Sequence, residues 1–159
     1  MVQVQTMRFG TLEDLEVTDE AIITFPDGIP GFEEYTEYAL IEEARFWPFA
    51  WLQPITEPQI GFVLMEPRLF VADYDPDFSC QDLTCLNVDG EDAVDLRCIL
   101  VVPSDPKAAT ANIKAPLLIN RRGQRGKQVI LMDERFALRY PVFTDVTTAS
   151  LEMAASCSS

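Results

Sequence analysis

The chain has 159 residues, 48% of them apolar, which suffices for one domain with a core and is too short to expect two. Twelve basic against twenty-six acidic residues give a net charge of −14, which repels a phosphate backbone and an anionic membrane surface alike and makes basic proteins the natural partners. Histidine is absent, which removes the commonest general base, nucleophile activator and metal ligand together.

The charge is uneven along the chain. Residues 1–96 hold three Lys/Arg and twenty-one Asp/Glu (net −18), and residues 97–159 hold nine against five (net +4). Folding that kept these parts separate would leave one face strongly negative. The start, Met1-Val2-Gln3-Val4-Gln5-Thr6, lacks a basic n-region, and no segment reaches the roughly 20 apolar residues of a membrane-spanning helix, so the expectation is a soluble cytoplasmic protein. Cys80, Cys85, Cys98 and Cys157 follow no Cys-x-x-Cys spacing and are expected as buried or free thiols, with no disulfide frame or zinc site.

In chain order, period-two runs rich in β-branched and aromatic residues predict strands over 2–9, 21–25, 38–41, 49–53 and 60–66. Between the second and third lies Ile23-Thr24-Phe25-Pro26-Asp27-Gly28-Ile29-Pro30-Gly31-Phe32. Pro26 and Pro30 fix φ and lack an N–H while Gly28 and Gly31 permit φ > 0, so strand pairing must stop after Phe25 and a stiff, shaped loop must follow, with Phe25, Ile29 and Phe32 as core plugs. Trp47, Pro48, Phe49, Trp51 and Pro54 form an aromatic and proline patch expected to be core, its aromatic residues on one side of the strand. Further strands are expected over 69–72, 94–102, 113–120 and 127–132. Ser79-Cys80-Gln81-Asp82 reads as a capping box opening one short helix, ended by the polar loop 87–92. The fold class is therefore mainly β: a single-domain, antiparallel, barrel-like fold of about nine short strands and one short helix, because closure removes the edges that so many strands would expose. The stretch from Thr144 to Ser159, rich in Ser, Thr and Ala, reads as a mobile or weakly helical tail beyond a domain of residues 1–143.

Two clusters carry chemistry that must be weighed. Asp73, Asp75 and Asp77 have the first spacings of a calcium loop, but the sixth and twelfth positions, which want Gly and Glu, hold Phe78 and Thr84. A carboxylate or metal-dependent small enzyme would have to be built from these aspartates. Arg121-Arg122-Gly123-Gln124-Arg125-Gly126-Lys127 reads as a hairpin tip with φ > 0 at its glycines, and is the only place an RNA-binding module could sit, against the field of the whole protein. No phosphate-cradling glycine motif is present, and no cofactor is expected.

Three blocks carry a family likeness: Thr6-Met7-Arg8-Phe9-Gly10 through the stiff loop to Glu33; Phe49-Ala50-Trp51-Leu52-Gln53; and Thr110-Ala111-Asn112-Ile113-Lys114-Ala115-Pro116-Leu117-Leu118-Ile119-Asn120 followed by Gly126-Lys127-Gln128-Val129-Ile130-Leu131. Over about residues 2 to 143 the chain resembles the FliW family of bacterial flagellar assembly factors, departing from it at Ala72, before Asp73-Tyr74, and at Tyr140, before Pro141. The resemblance implies a barrel-like, non-enzymatic adaptor. It would bind the RNA-binding repressor CsrA, relieving repression of flagellin translation, and would also bind flagellin. No direct nucleic-acid or membrane contact is implied. The candidate partner-binding residues are Asp27, Gly28, Ile29, Pro30, Phe32 and Glu33 of the loop, with Asn112 and Lys114 of the third block, as shaped or polar groups beside buried strands.

Overall fold

The structure, a computed structural model, describes residues 1–88 and 94–143; the tail, Cys157 and most of the loop expected over 87–92 lie outside the described residues. Eleven strands and one α-helix are present among them: β1 (Val2–Thr6), β2 (Glu13–Val17), β3 (Ile22–Thr24), β4 (Glu37–Ile41), β5 (Phe49–Pro54), β6 (Phe62–Met65), α1 (Cys80–Cys85), β7 (Asp95–Val101), β8 (Thr110–Ala111), β9 (Leu117–Asn120), β10 (Arg125–Gln128) and β11 (Tyr140–Pro141). Seven of them close a barrel in the order β7-β6-β5-β4-β3-β10-β9 and back to β7. The first part of β7 pairs with β9 and its end with β8, which carries β11. β1 and β2 form a separate antiparallel hairpin.

Period-two alternation sorts these strands into two cores. Phe25, Tyr38, Leu40, Leu52, Leu64 and Ile119 fill the barrel. Their neighbours of opposite parity, Met65, Cys98 and Leu118, join a second core with Tyr74, Ile113 and Val142. There the Tyr74 hydroxyl donates to the Ile113 carbonyl at 2.6 Å. A smaller third cluster of Val4, Ala39 and Ile41 packs with Trp51 beneath the β1–β2 hairpin. Burial pushes the Cys98 thiol up to about 12, in keeping with an inert interior thiol.

Several expectations are corrected. The barrel is not wholly antiparallel, because β3 and β10 run parallel where Arg125 opposes Thr24. Residues 69–72 form no strand: Pro67–Leu69 is a 3-10 turn started by the Glu66 side chain, which accepts from the Arg68 N–H, and Asp73 follows at φ 56°. The strand expected at 127–132 lies at Arg125–Gln128. The hairpin tip takes its positive φ at Gln124 (53°), not at Gly123 or Gly126. Trp47 is not core but 69% exposed, preceding the strand that holds Phe49 and Trp51. The capping box is present as read, the Ser79 hydroxyl accepting from the Asp82 N–H at 3.1 Å and the Asp82 carboxylate accepting from the Ser79 N–H at 3.4 Å.

One end of the barrel is closed by charge. Glu42, Glu66, Asp95, Arg97 and Arg121 continue the inward-facing parity of Leu40, Leu64, Ile99 and Ile119, so they converge where the apolar filling ends. Arg97 pairs with Glu66 at 3.3 Å and with Glu42 at 3.5 Å, and Arg121 donates to Glu42 at 2.8 Å and also pairs with Asp95. These pairs join cations of the basic C-terminal part to acids of the N-terminal part, so folding mixes the two charge blocks instead of segregating them. The hydrogen bond from Arg121 holds the Glu42 carboxyl below its usual range, against desolvation, with Arg97 adding to the effect.

Two predictions follow from closure and from this charge cluster. A Cβ on Gly126 would lie 2.4 Å from Cζ of Phe25, inside the ring's own volume, so Gly126→Ala is expected to cost about 1–3 kcal/mol, read as a melting temperature lower by several degrees. For the ion cluster the sign is set by Glu42: a depressed carboxyl contributes stability above the ordinary glutamate value of 4.5 and loses it as pH falls further through the folded value. Arg121→Gln should therefore lower the melting temperature at pH 7, with the difference from the unaltered chain shrinking toward pH 3.

Candidate functional site

The stiff loop is built from consecutive turns. The Gly28 N–H donates to the Phe25 carbonyl at 2.8 Å, and Pro26 with negative φ at Asp27 sets a type I turn; the Phe32 N–H donates to the Ile29 carbonyl at 2.7 Å around Pro30 and Gly31, whose φ of 90° marks type II. Gly28 sits at φ 67°, and a Cβ there would meet the Glu33 Cα at 2.6 Å, so the loop folds back tightly on itself. Gly28 and Ile29 are buried and shape the loop, while Asp27, Pro30 and Glu33 are exposed and Phe32 is half-buried with its ring 5.2 Å from that of Phe62. Glu33 accepts from the Gly31 N–H at 3.0 Å, and that bond lowers its carboxyl below the usual range.

Asn112 and Lys114 are half-buried on the segment before β9. Asn112 uses its side-chain oxygen to accept from the Ala115 N–H at 3.0 Å, which is a structural bond. The Lys114 carbonyl accepts from the Leu131 N–H at 2.7 Å. β10 and its continuation touch the segments that carry both sets: β10 pairs with β3, which leads into the stiff loop, and beyond it the Leu131 N–H donates to the Lys114 carbonyl.

The basic hairpin is largely committed internally. Arg121 is held by Glu42 and Asp95, and Lys127 lies 3.1 Å from Asp82. The aspartates over 73–77 make no cluster able to hold a metal ion among the described residues.

Two clefts were not legible from the motifs. One, of about 210 Å³, lies between the 8–9 segment and the β4–β5 face and is floored by Ile41, Phe49, Trp51 and Val63. Arg8 borders it, its side chain only 3% exposed, donating to Glu43 at 2.8 Å and to Glu13 at 3.3 Å and lying 4.6 Å from the centre of the Phe9 ring. The other, of about 340 Å³, lies between Asp75–Asp82 and Val129–Phe136. Its one sequence signal was the run Val129-Ile130-Leu131-Met132, apolar on both faces of an extended chain. Val129 and Leu131 are buried, whereas Ile130 is 62% and Met132 89% exposed.

The family model described as FliW protein matches residues 3–142. The flagellar assembly factor FliW of Alkaliphilus metalliredigens is 37% identical over 143 residues, covering 89% of this chain and 86% of that one; that of Leptospira biflexa is 36% identical over 152, covering 95% and 97%. The FliW of Thermotoga sp. strain RQ2 is 35% identical over 130 residues, covering 81% and 87%. A crystal structure of the flagellar assembly factor FliW superposes with a TM-score of 0.80 at 34% identity, covering 91% of this chain and 99% of that chain. With its three blocks carried on a matching barrel, the chain belongs to the FliW family of flagellar assembly factors.

Proposed function

We propose that this chain is a cytoplasmic, non-enzymatic regulator that binds CsrA, so relieving repression of flagellin synthesis, and that also binds flagellin. Family membership along residues 3–142 is the observation that carries this reading. The charge supports it. A repressor that holds RNA is basic, and a chain of net charge −14 attracts such a protein while disfavouring RNA bound beside it. Exposed carboxylates on β2, Asp14 and Glu16, stand opposite Gln5 and Gln3 of β1 and give one such negative surface. Flagellin presents a chain end that packs as helical core only after export, and an apolar cleft like the one beside Arg8 suits its coverage. The stiff loop contributes Asp27, Pro30, Phe32 and Glu33 at its surface, with Gly28 and Ile29 holding it in shape and Asn112 and Lys114 on the neighbouring segment.

RNA binding through 121–127 is the weaker reading, since Arg121 and Lys127 already have carboxylate partners.

Calorimetry of the purified chain with CsrA and with flagellin tests the reading: saturable heat is expected with each, and no heat with either at tens of micromolar would remove it. A second measurement addresses charge. The association rate with CsrA is expected to fall steeply between low and physiological salt while dissociation changes little, and a salt-independent rate would rule steering out.

A further inference from the structure

We propose that the cleft between Asp75–Asp82 and Val129–Phe136 is the docking surface for an extended, basic segment of a partner protein, which adds as a strand along Ile130–Met132. This rests on the reading that the chain works by binding proteins. The two rims have the same construction with opposite chemistry. On one, Pro76 is buried and its neighbours Asp75 and Asp77 are exposed; on the other, Leu131 is buried and its neighbours Ile130 and Met132 are exposed. An extended chain places alternate side chains on one side, so the first rim presents two carboxylates and the second two large apolar groups.

Charge complementarity selects the occupant. Of the four carboxylates lining the cleft, Asp82 is paired with Lys127 at 3.1 Å and Asp133 with Arg135 at 2.7 Å. Among the described residues no cation pairs with Asp75 or Asp77. The segment that fits brings cations to these two and an apolar side chain over Ile130 and Met132. Its backbone would also be met. The Val129 and Leu131 N–H groups donate to the Pro116 and Lys114 carbonyls at 3.0 and 2.7 Å, in the manner of an antiparallel ladder. The intervening Ile130 and Met132 N–H groups therefore lie on the other edge, where neither donates to any acceptor among the described residues. An open edge flanked by side-chain subsites is the arrangement used in strand addition, where main-chain bonds supply affinity and alternate side chains supply specificity.

The test compares three variants of the full chain in binding to CsrA, the basic partner of the proposed function, with flagellin measured in parallel. Asp75→Lys/Asp77→Lys reverses the carboxylate rim, Met132→Glu places charge on the apolar rim, and Asp14→Lys/Glu16→Lys makes the same charge change on β2. All five substituted positions are exposed, so melting temperatures should stay within a few degrees of the unaltered chain. The expected result is a loss of CsrA affinity of tenfold or more in the first two, at least threefold greater than in the β2 control, with flagellin affinity kept within about threefold. Equal losses in the cleft and β2 variants, or no loss in the cleft variants, would overturn the proposal while leaving the proposed function standing. Absence of binding by the unaltered chain to both proteins would overturn that function, and this inference with it.

Discussion

The barrel depends on one substitution of volumes: the phenyl ring of Phe25 occupies the space that a side chain at position 126 would need, with the nearest ring carbon 2.4 Å from the site of a Cβ on Gly126. A side chain at 126 would hold β3 and β10 apart. The register they share is short, Thr24 opposite Arg125, and is secured at the hairpin tip, where the Thr24 N–H donates to the Gln124 carbonyl at 2.9 Å and the Gln124 amide donates to the carbonyls of Asp19 and Ile22. Without this junction β3 and β10 would each present an open edge along the filled core. With this one parallel pairing, the six antiparallel pairings are drawn into a closed ring.

Closure also explains the position of the stiff loop and of the charges. Once Phe25 is committed inward, the chain must turn away from the barrel at once, and Pro26 and Gly28 make that turn before Ile29 returns to the core. At the end where Glu42, Glu66, Asp95, Arg97 and Arg121 meet, the inward parity continues past the apolar layer, and opposite charges satisfy each other with Arg97 only 17% exposed. Among the described residues one buried inward group has no partner: the Tyr38 hydroxyl neither accepts from nor donates to any of them, and burial pushes its phenol up to about 12. The unmet hydroxyl is a cost carried by a ring that packs against Phe25 and Phe62.

Strand existence was legible where period two met a buried face, as in β4, β5, β6 and β7, and the helix was legible because Ser79 and Asp82 are a local device needing no tertiary partner. β2 was not, since Glu-Asp-Leu-Glu-Val has only two apolar residues and owes its strand to pairing with β1. β8 and β11 are two-residue pairings that exist only through β7 and each other. The stiff loop was read correctly as a shape from its prolines and glycines, and the burial of Ile29 and packing of Phe32 fit that reading. What composition could not show was which face of Val129–Met132 would be covered, because that depends on Pro116 and Lys114 arriving beside alternate N–H groups. Nor could the two-block charge count anticipate that Arg97, Arg121 and Lys127 would each find acids from the earlier part of the chain.

That mixing has a consequence for recognition. Ion pairing relocates charge without removing the surplus, and twenty-six acids against twelve bases leave fourteen negative charges however the pairs are drawn. Beyond about one Debye length, ~8 Å at physiological salt, an approaching basic protein senses that sum more than any single group. Direction at short range must come from features the sum does not contain: an unpaired carboxylate next to a concave apolar floor, or a main-chain donor with no acceptor. A surface charge on the exposed face of the β1–β2 hairpin and one on a cleft rim contribute alike to the rate of encounter. Only the second also borders apolar area, so only there could burial by a partner add to charge in setting how long an encounter lasts.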